Sequence, residues 1–127
     1  MIMVDTHVAY WHVTGKSDLG KAARNILDSR MPVYFSPVTV FELRAKQIAG
    51  HLQLPSDLGA SLISAGFTEL PIKSEDFLHL TDFPSLANHD PMDRILLCQA
   101  ARHNLRFLTA DQKLLALGLD WVVDATA

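Results

Sequence analysis

Cysteine is nearly absent. Cys98 is the one thiol in 127 residues, which excludes an internal disulfide and fits a reducing cytoplasm. Cys98 lies mid-helix among leucines, where a thiol behaves as a small core residue rather than a nucleophile. Long apolar runs are missing as well. No stretch approaches the roughly 18 residues that a membrane span requires, and no basic start with an apolar core points to export, so a cytoplasmic chain outside the membrane is expected. Positive charge is scarce: 11 Lys and Arg against 14 Asp and Glu leave a net charge of −3. Such a balance does not advertise a nucleic-acid binder, and binding of that kind would need a local basic patch or a metal. The histidines lack the spacing of a zinc site, so His7 and His12 read as ordinary residues. Gly15-Lys16-Ser17 resembles the end of a P-loop, but no glycine stands five positions earlier and no strand leads in. Repeats, low-complexity segments and interdomain linkers are also missing.

What is present is a chain 49% hydrophobic, long enough for one domain over residues 1–127 with a substantial core and too short for two. Short β-favouring runs are expected as strands at Met1–Val4, Pro32–Phe35, Phe67–Ile72 (an edge strand, given its proline), Leu105–Leu108 and Trp121–Val123. Helical patterns lie between them. These are a short one at Val8–Trp11, Leu19–Ser29, Pro37 to Ala49 after the cap Ser36, Ser56–Ala65, Ser74 through Thr81, Asp90 to His103, and Lys113–Leu117. Gly15 to Asp18 and His51 to Pro55 read as turn and loop. Alternation of this kind predicts an α/β fold, a mostly parallel sheet with helices on both faces.

Four carboxylates stand out. Asp5 and Asp111 each follow a strand, and in open parallel sheets that edge is where ligands bind. Asp5 can equally be a helix N-cap. Thr109 and Gln112 have the spacing of a capping box. Asp93 follows the cap-and-proline pair Asp90-Pro91. It can fold back as a capping-box acid, yet it shares a helical stripe with Leu96, Leu97, Ala100 and Ala101 and so points at the core edge, where it needs a partner. Glu42 lies too deep in its helix to cap anything. It falls on the face expected to carry Val38, Phe41, Ala45 and Ile48, and a buried glutamate is rare unless paired with a cation or bound to a metal.

Strand carboxyl ends and helix amino ends share one edge of a parallel sheet, so all four acids can converge there. Two carboxylates about 4 Å apart repel by roughly 4 kcal/mol at an effective dielectric near 20, so several such pairs would rival a whole domain's stability of about 5–15 kcal/mol. Such a cluster takes up protons or cations. Hard oxygen ligands suit Mg²⁺ or Mn²⁺, and metal-assisted phosphodiester hydrolysis is the reaction class that follows.

Met3-Val4-Asp5-Thr6-His7, Ser36-Pro37-Val38-Thr39-Val40-Phe41-Glu42-Leu43, Asp90-Pro91-Met92-Asp93-Arg94-Ile95-Leu96-Leu97 and Leu108-Thr109-Ala110-Asp111 resemble, in order and spacing, the four acidic motifs of PIN domains. The resemblance is greatest to the VapC-type toxins that carry a D-P-F-D-R-L-L signature, with Met92 in place of the usual Phe and His89 directly abutting Asp90. It implies a PIN fold, a Mg²⁺- or Mn²⁺-dependent endoribonuclease acting on RNA, neutralisation by a VapB-type antitoxin, and a homodimer or higher assembly. It also implies an acidic site of Asp5, Glu42, Asp93 and Asp111. Asp5 and Asp93 would be the main metal ligands, with Glu42 and Asp111 helping directly or through water. Asp90 is then a cap or supporting group, and Arg94 either anchors a phosphate or pairs with a site carboxylate. Two other readings stand beside this one: a housekeeping PIN nuclease, and a non-catalytic module whose acidic pocket docks a partner's arginine. The basic residues Lys16, Lys21, Arg24, Arg44, Lys46 and Arg94 are candidates for a phosphate track, with scattered surface charge as the plainer account.

Overall fold

In the computed structural model, which describes residues 1–15, 18–50 and 52–127, five strands form one sheet. They are β1 (Ile2–Val4), β2 (Val33–Phe35), β3 (Thr68–Glu69), β4 (Arg106–Thr109) and β5 (Val122–Asp124), in the order β3-β2-β1-β4-β5. Every pairing is parallel. The chain runs outward from β1 through β2 to β3, then returns to the other side of β1 for β4 and β5. The order therefore reverses between β1 and β4, where Met3 pairs with Phe107 and Val4 with Leu108. A reversal of this kind opens a crevice at the carboxyl ends of the strands, because the loops on either side depart in opposite directions.

The strands alternate their side chains between two cores, as a sheet covered on both faces requires. Ile2, Val4 and Leu108 join Val8, Leu27, Leu58 and Leu62 on one face. Met3 and Phe107 join Leu86, Leu96, Leu97 and Leu114 on the other. The helices are α1 (Thr6–Thr14), α2 (Lys21–Asp28), α3 (Pro37–Ile48), α4 (Leu58–Ser64), α5 (Pro91–Arg102) and α6 (Gln112–Leu115). α1, α2 and α4 supply residues to the first core, and α5 and α6 to the second. α3 straddles the two, giving Leu43 to the first and Val38 to the second. Between those two residues α3 brings Thr39 and Glu42 to the Thr6 hydroxyl.

Several local expectations change. α1 starts at Thr6, not Val8, because the Asp5 carboxylate accepts from the Thr6 N–H at 2.7 Å and caps the helix there. Residues Ser74–Asp82 form a 3-10 helix, begun at Lys73 rather than capped by Ser74; the fully buried Asp76 accepts from the Lys73 N–H at 2.8 Å and lies 3.5 Å from Arg102. The apolar face of α3 also differs. Val38, Thr39 and Leu43 are buried, whereas Phe41 is 61% and Ile48 87% exposed. The turn at Lys16-Ser17 and the loop start at His51 lie outside the described residues. Gly50, just past α3, has φ +83°, the left-handed conformation that ends a helix at low steric cost. Among the described residues no helix is long and apolar enough to cross a membrane.

Candidate active site

Asp5 leaves β1 still bound to the sheet, its N–H donating to the Leu108 carbonyl at 2.9 Å. Only 4% of the residue is exposed, so both carboxylate oxygens need donors. Oδ1 accepts from the Thr6 N–H at 2.7 Å, and Oδ2 accepts from the Thr109 hydroxyl at 2.6 Å. The Thr109 oxygen in turn accepts from the Asp111 N–H at 3.0 Å. One hydroxyl at the end of β4 thereby ties the acid of β1 to the turn carrying the acid beyond β4. This replaces the capping role expected of Thr109 with Gln112. The cap of α6 is Asp111, which accepts from the Lys113 N–H at 2.8 Å.

Thr6 makes the corresponding link to α3. Its hydroxyl donates to Glu42 Oε1 at 2.8 Å and lies 3.2 Å from the Thr39 hydroxyl. A hydroxyl has one proton, so with Thr6 donating to Glu42 the Thr39 hydroxyl donates to Thr6. Glu42 is half-buried without a cation on it. Burial raises its pKa above 4.5 against the pull of the Thr6 hydrogen bond; the charges of Asp5 and Asp90 add to the rise, and Lys46, one turn on, opposes it. Among the described residues Glu42 forms no ion pair.

Asp93 differs from the others. Asp90 caps α5 as expected, accepting from the Met92 N–H at 2.9 Å, but Asp93 does not close a capping box. Among the described residues no group donates a hydrogen bond to its carboxylate, and no lysine or arginine pairs with it. Burial lifts its pKa from 3.8 to about 7, and the charges of Asp5, Asp111, Asp90 and Glu42 all push the same way. Burial also raises Asp5. The Thr109 and Thr6 bonds and the nearness of His7 pull it back, and Asp111 adds to the rise. Residues from β1, α3, α5 and the end of β4 therefore meet within electrostatic reach of one another.

Arg94 lines a separate pocket with Phe77, Leu80, Pro91 and Ile95. Among the described residues its Nε is buried without a partner, and its charge acts on Cys98. Of the two roles expected for it, pairing with a site carboxylate is absent among the described residues. Arg44 is occupied by Gln47 and the Ser56 carbonyl, each at 2.6 Å, and Lys16 lies outside the described residues. The charge of Lys46 reaches Glu42 in the cluster. Thr6, Thr39 and Thr109 were missed as site residues by sequence reasoning; for Thr6 and Thr109 the signal was a threonine directly beside, or two before, a strand-end acid, and for Thr39 a polar residue three before Glu42 on the same helix.

Residues 2–118 match the PIN domain family. The chain belongs to that family. Among curated relatives of this PIN domain is Ribonuclease VapC22 of Mycobacterium tuberculosis, 25% identical over 115 residues, spanning 89% of this chain and 88% of that protein. Solved structures share the fold. A toxin–antitoxin complex from Klebsiella pneumoniae matches at TM-score 0.66 and 17% identity, over 97% of this chain and 96% of that one. VapBC2 from Rickettsia felis, bound to a promoter DNA fragment, matches at TM-score 0.67 and 12% identity, over 98% and 97%. FitAB bound to a DNA fragment matches at TM-score 0.66 and 19% identity, over 100% and 96%. As the side chains stand, no group of three or more His, Cys, Asp or Glu among the described residues encloses a metal position. The donor chemistry nevertheless fits a hard cation: the set is all oxygen, and Asp93 has neither a donor nor a counter-charge.

Proposed function

We propose that this PIN domain is the toxin of a VapC-type toxin–antitoxin pair, an endoribonuclease that hydrolyses RNA phosphodiester bonds with Mg²⁺ or Mn²⁺. The observation that carries the reading is Asp93, half-buried, without a hydrogen-bond donor and facing the charges of four other carboxylates. An uncompensated cluster of this kind has a use only if something cationic enters it. Asp5 and Asp93 would hold the ion, with Glu42 and Asp111 assisting directly or through water. When bound, such an ion supplies a water of lowered pKa and neutralises charge on the phosphate. The chain's own residues set the geometry. Thr6 and Thr109 hold Glu42 and Asp5 in place, and burial with the neighbouring charges raises the pKa of Asp93 to about 7, so near that pH it exchanges a proton readily.

The toxin reading draws on the named relative and on the toxin–antitoxin complexes among the structural neighbours. Exposed Phe41, Ile48, Ile63 and Leu78 provide apolar surface for a second copy and for a VapB-type antitoxin. A cytoplasmic location suits such an assembly. The test is cleavage of single-stranded RNA by the purified chain with Mn²⁺ and with chelator. Cutting that requires the ion and disappears in Asp5→Asn and Asp93→Asn supports the proposal, and equal cutting by those variants refutes it. A second reading, a non-catalytic pocket for a partner's arginine, draws on the same Asp93 carboxylate, which has no cationic partner among the described residues. It predicts no cleavage under any metal condition.

A further inference from the structure

Beside the acids, on the side of α1, lies an open cleft of about 280 Å³ lined by His7, Trp11, Ala110 and Asp111. His7 and Trp11 are one helical turn apart, with ring centroids 6.2 Å from each other and planes tilted by 46°. At that separation and tilt they do not stack face to face on one another, and both line the cleft. The Trp11 body packs against the first core, which holds the ring in place, while His7 is exposed. The Trp11 indole N–H has no acceptor among the described residues. Lys46 of α3 brings its ammonium to 3.5 Å from His7 Nε2, so the rim of the cleft carries positive charge next to an otherwise acidic pocket.

A fixed aromatic face, a free donor and a nearby ammonium are what single-stranded RNA needs from a protein: a ring for an unstacked base, a polar group for its edge and a cation for its phosphate. We propose that this cleft receives the base adjoining the bond to be cut, stacked on Trp11, with Lys46 and His7 at the phosphate of that nucleotide. This rests on the ribonuclease reading and adds to it the feature that sets which side of the scissile bond must carry an intact base. Asp111 belongs to both the cleft and the acidic cluster, so the cleft adjoins the carboxylates.

The test uses the full chain with Mn²⁺ and an RNA oligonucleotide whose cut has been mapped, together with versions lacking the base at each flanking position. Wild type should lose about 5- to 150-fold in kcat/KM at one flanking position, the range expected for one base–aromatic stack. Trp11→Leu should lose as much on the intact oligonucleotide and nothing further on the abasic one, while Trp11→Phe stays near wild type. Indole fluorescence of Trp121→Phe, which leaves Trp11 as the reporter, should be quenched by the same RNA. The inference is overturned if wild type cuts RNA but no flanking position is base-sensitive. It is also overturned if Trp11→Leu keeps the full abasic penalty, or if Trp11 fluorescence does not respond; the ribonuclease reading survives all three results. Absence of any cleavage by wild type overturns both.

Discussion

Replacing Asp93 by Asn should make the metal-free protein more stable at neutral pH, although the residue is proposed to be catalytic. The sign follows from linkage. The folded pKa of Asp93 is raised from 3.8 to about 7, so folding favours the protonated form. The associated stability is complete below the unfolded value and is lost as pH rises through about 7. The full difference, at roughly 1.4 kcal/mol per pH unit, is about 4 kcal/mol. The side chain stands partly in solvent, which screens the repulsion and brings the expected effect to about 2 kcal/mol. Asn is nearly isosteric with the protonated acid and carries no charge at any pH. Thermal melts in chelator should therefore show the two proteins together at pH 4. By pH 8 they should separate until Asp93→Asn melts about 5–10 °C higher. Differencing the two proteins cancels the titration of every acid they share to first order. Curves that coincide from pH 4 to 8, or an Asn variant less stable at pH 8, would refute the claim that this carboxylate is held against uncompensated charge.

Other outcomes follow from the same network. Thr109→Val removes the donor to Asp5 and the acceptor for the Asp111 N–H. It should cost about 1–3 kcal/mol in denaturant unfolding, more at pH 8 than at pH 5, because the lost bond favours the charged form of Asp5. Mn²⁺ at a hundred times its dissociation constant should stabilise wild type by about 2.7 kcal/mol and leave Asp93→Asn nearly unmoved, as read by melting temperature. Asp76→Ala breaks a fully buried carboxylate's bond to Lys73 and its pairing with Arg102. It should cost about 3–5 kcal/mol, yet RNA cleavage by the folded fraction should persist, since Asp76 lies outside the acidic cluster.

The alternation of short apolar runs with helical stripes was enough to read the parallel sheet and its helices, because strands buried on both faces and amphipathic helices leave opposite periodicities. The four acids were legible for a related reason: Asp5 and Asp111 interrupt β-favouring runs, and Asp93 and Glu42 sit where a charge is costly. Strand order is a property of pairing between distant segments, and nothing local in β1 specifies that β4 rather than β3 lies beside it. The threonines escaped notice because a hydroxyl is unremarkable in either a turn or a strand, and its importance lies in a partner as much as 104 positions away. The error on α3 has a physical cause too. Periodicity assumes that apolar residues face inward, but α3 turns Thr39 toward the Thr6 hydroxyl and leaves Phe41 and Ile48 outside.

The central claim, that acids from four separate elements act together on one hard divalent ion, is tested most directly by a crystal of the wild-type chain soaked in Mn²⁺. An anomalous peak directly ligated by the Asp5 and Asp93 carboxylates, with Glu42 and Asp111 reached directly or through water, is the predicted result. Saturating Mn²⁺ with no peak between those two side chains, or a peak elsewhere on the molecule, would contradict it.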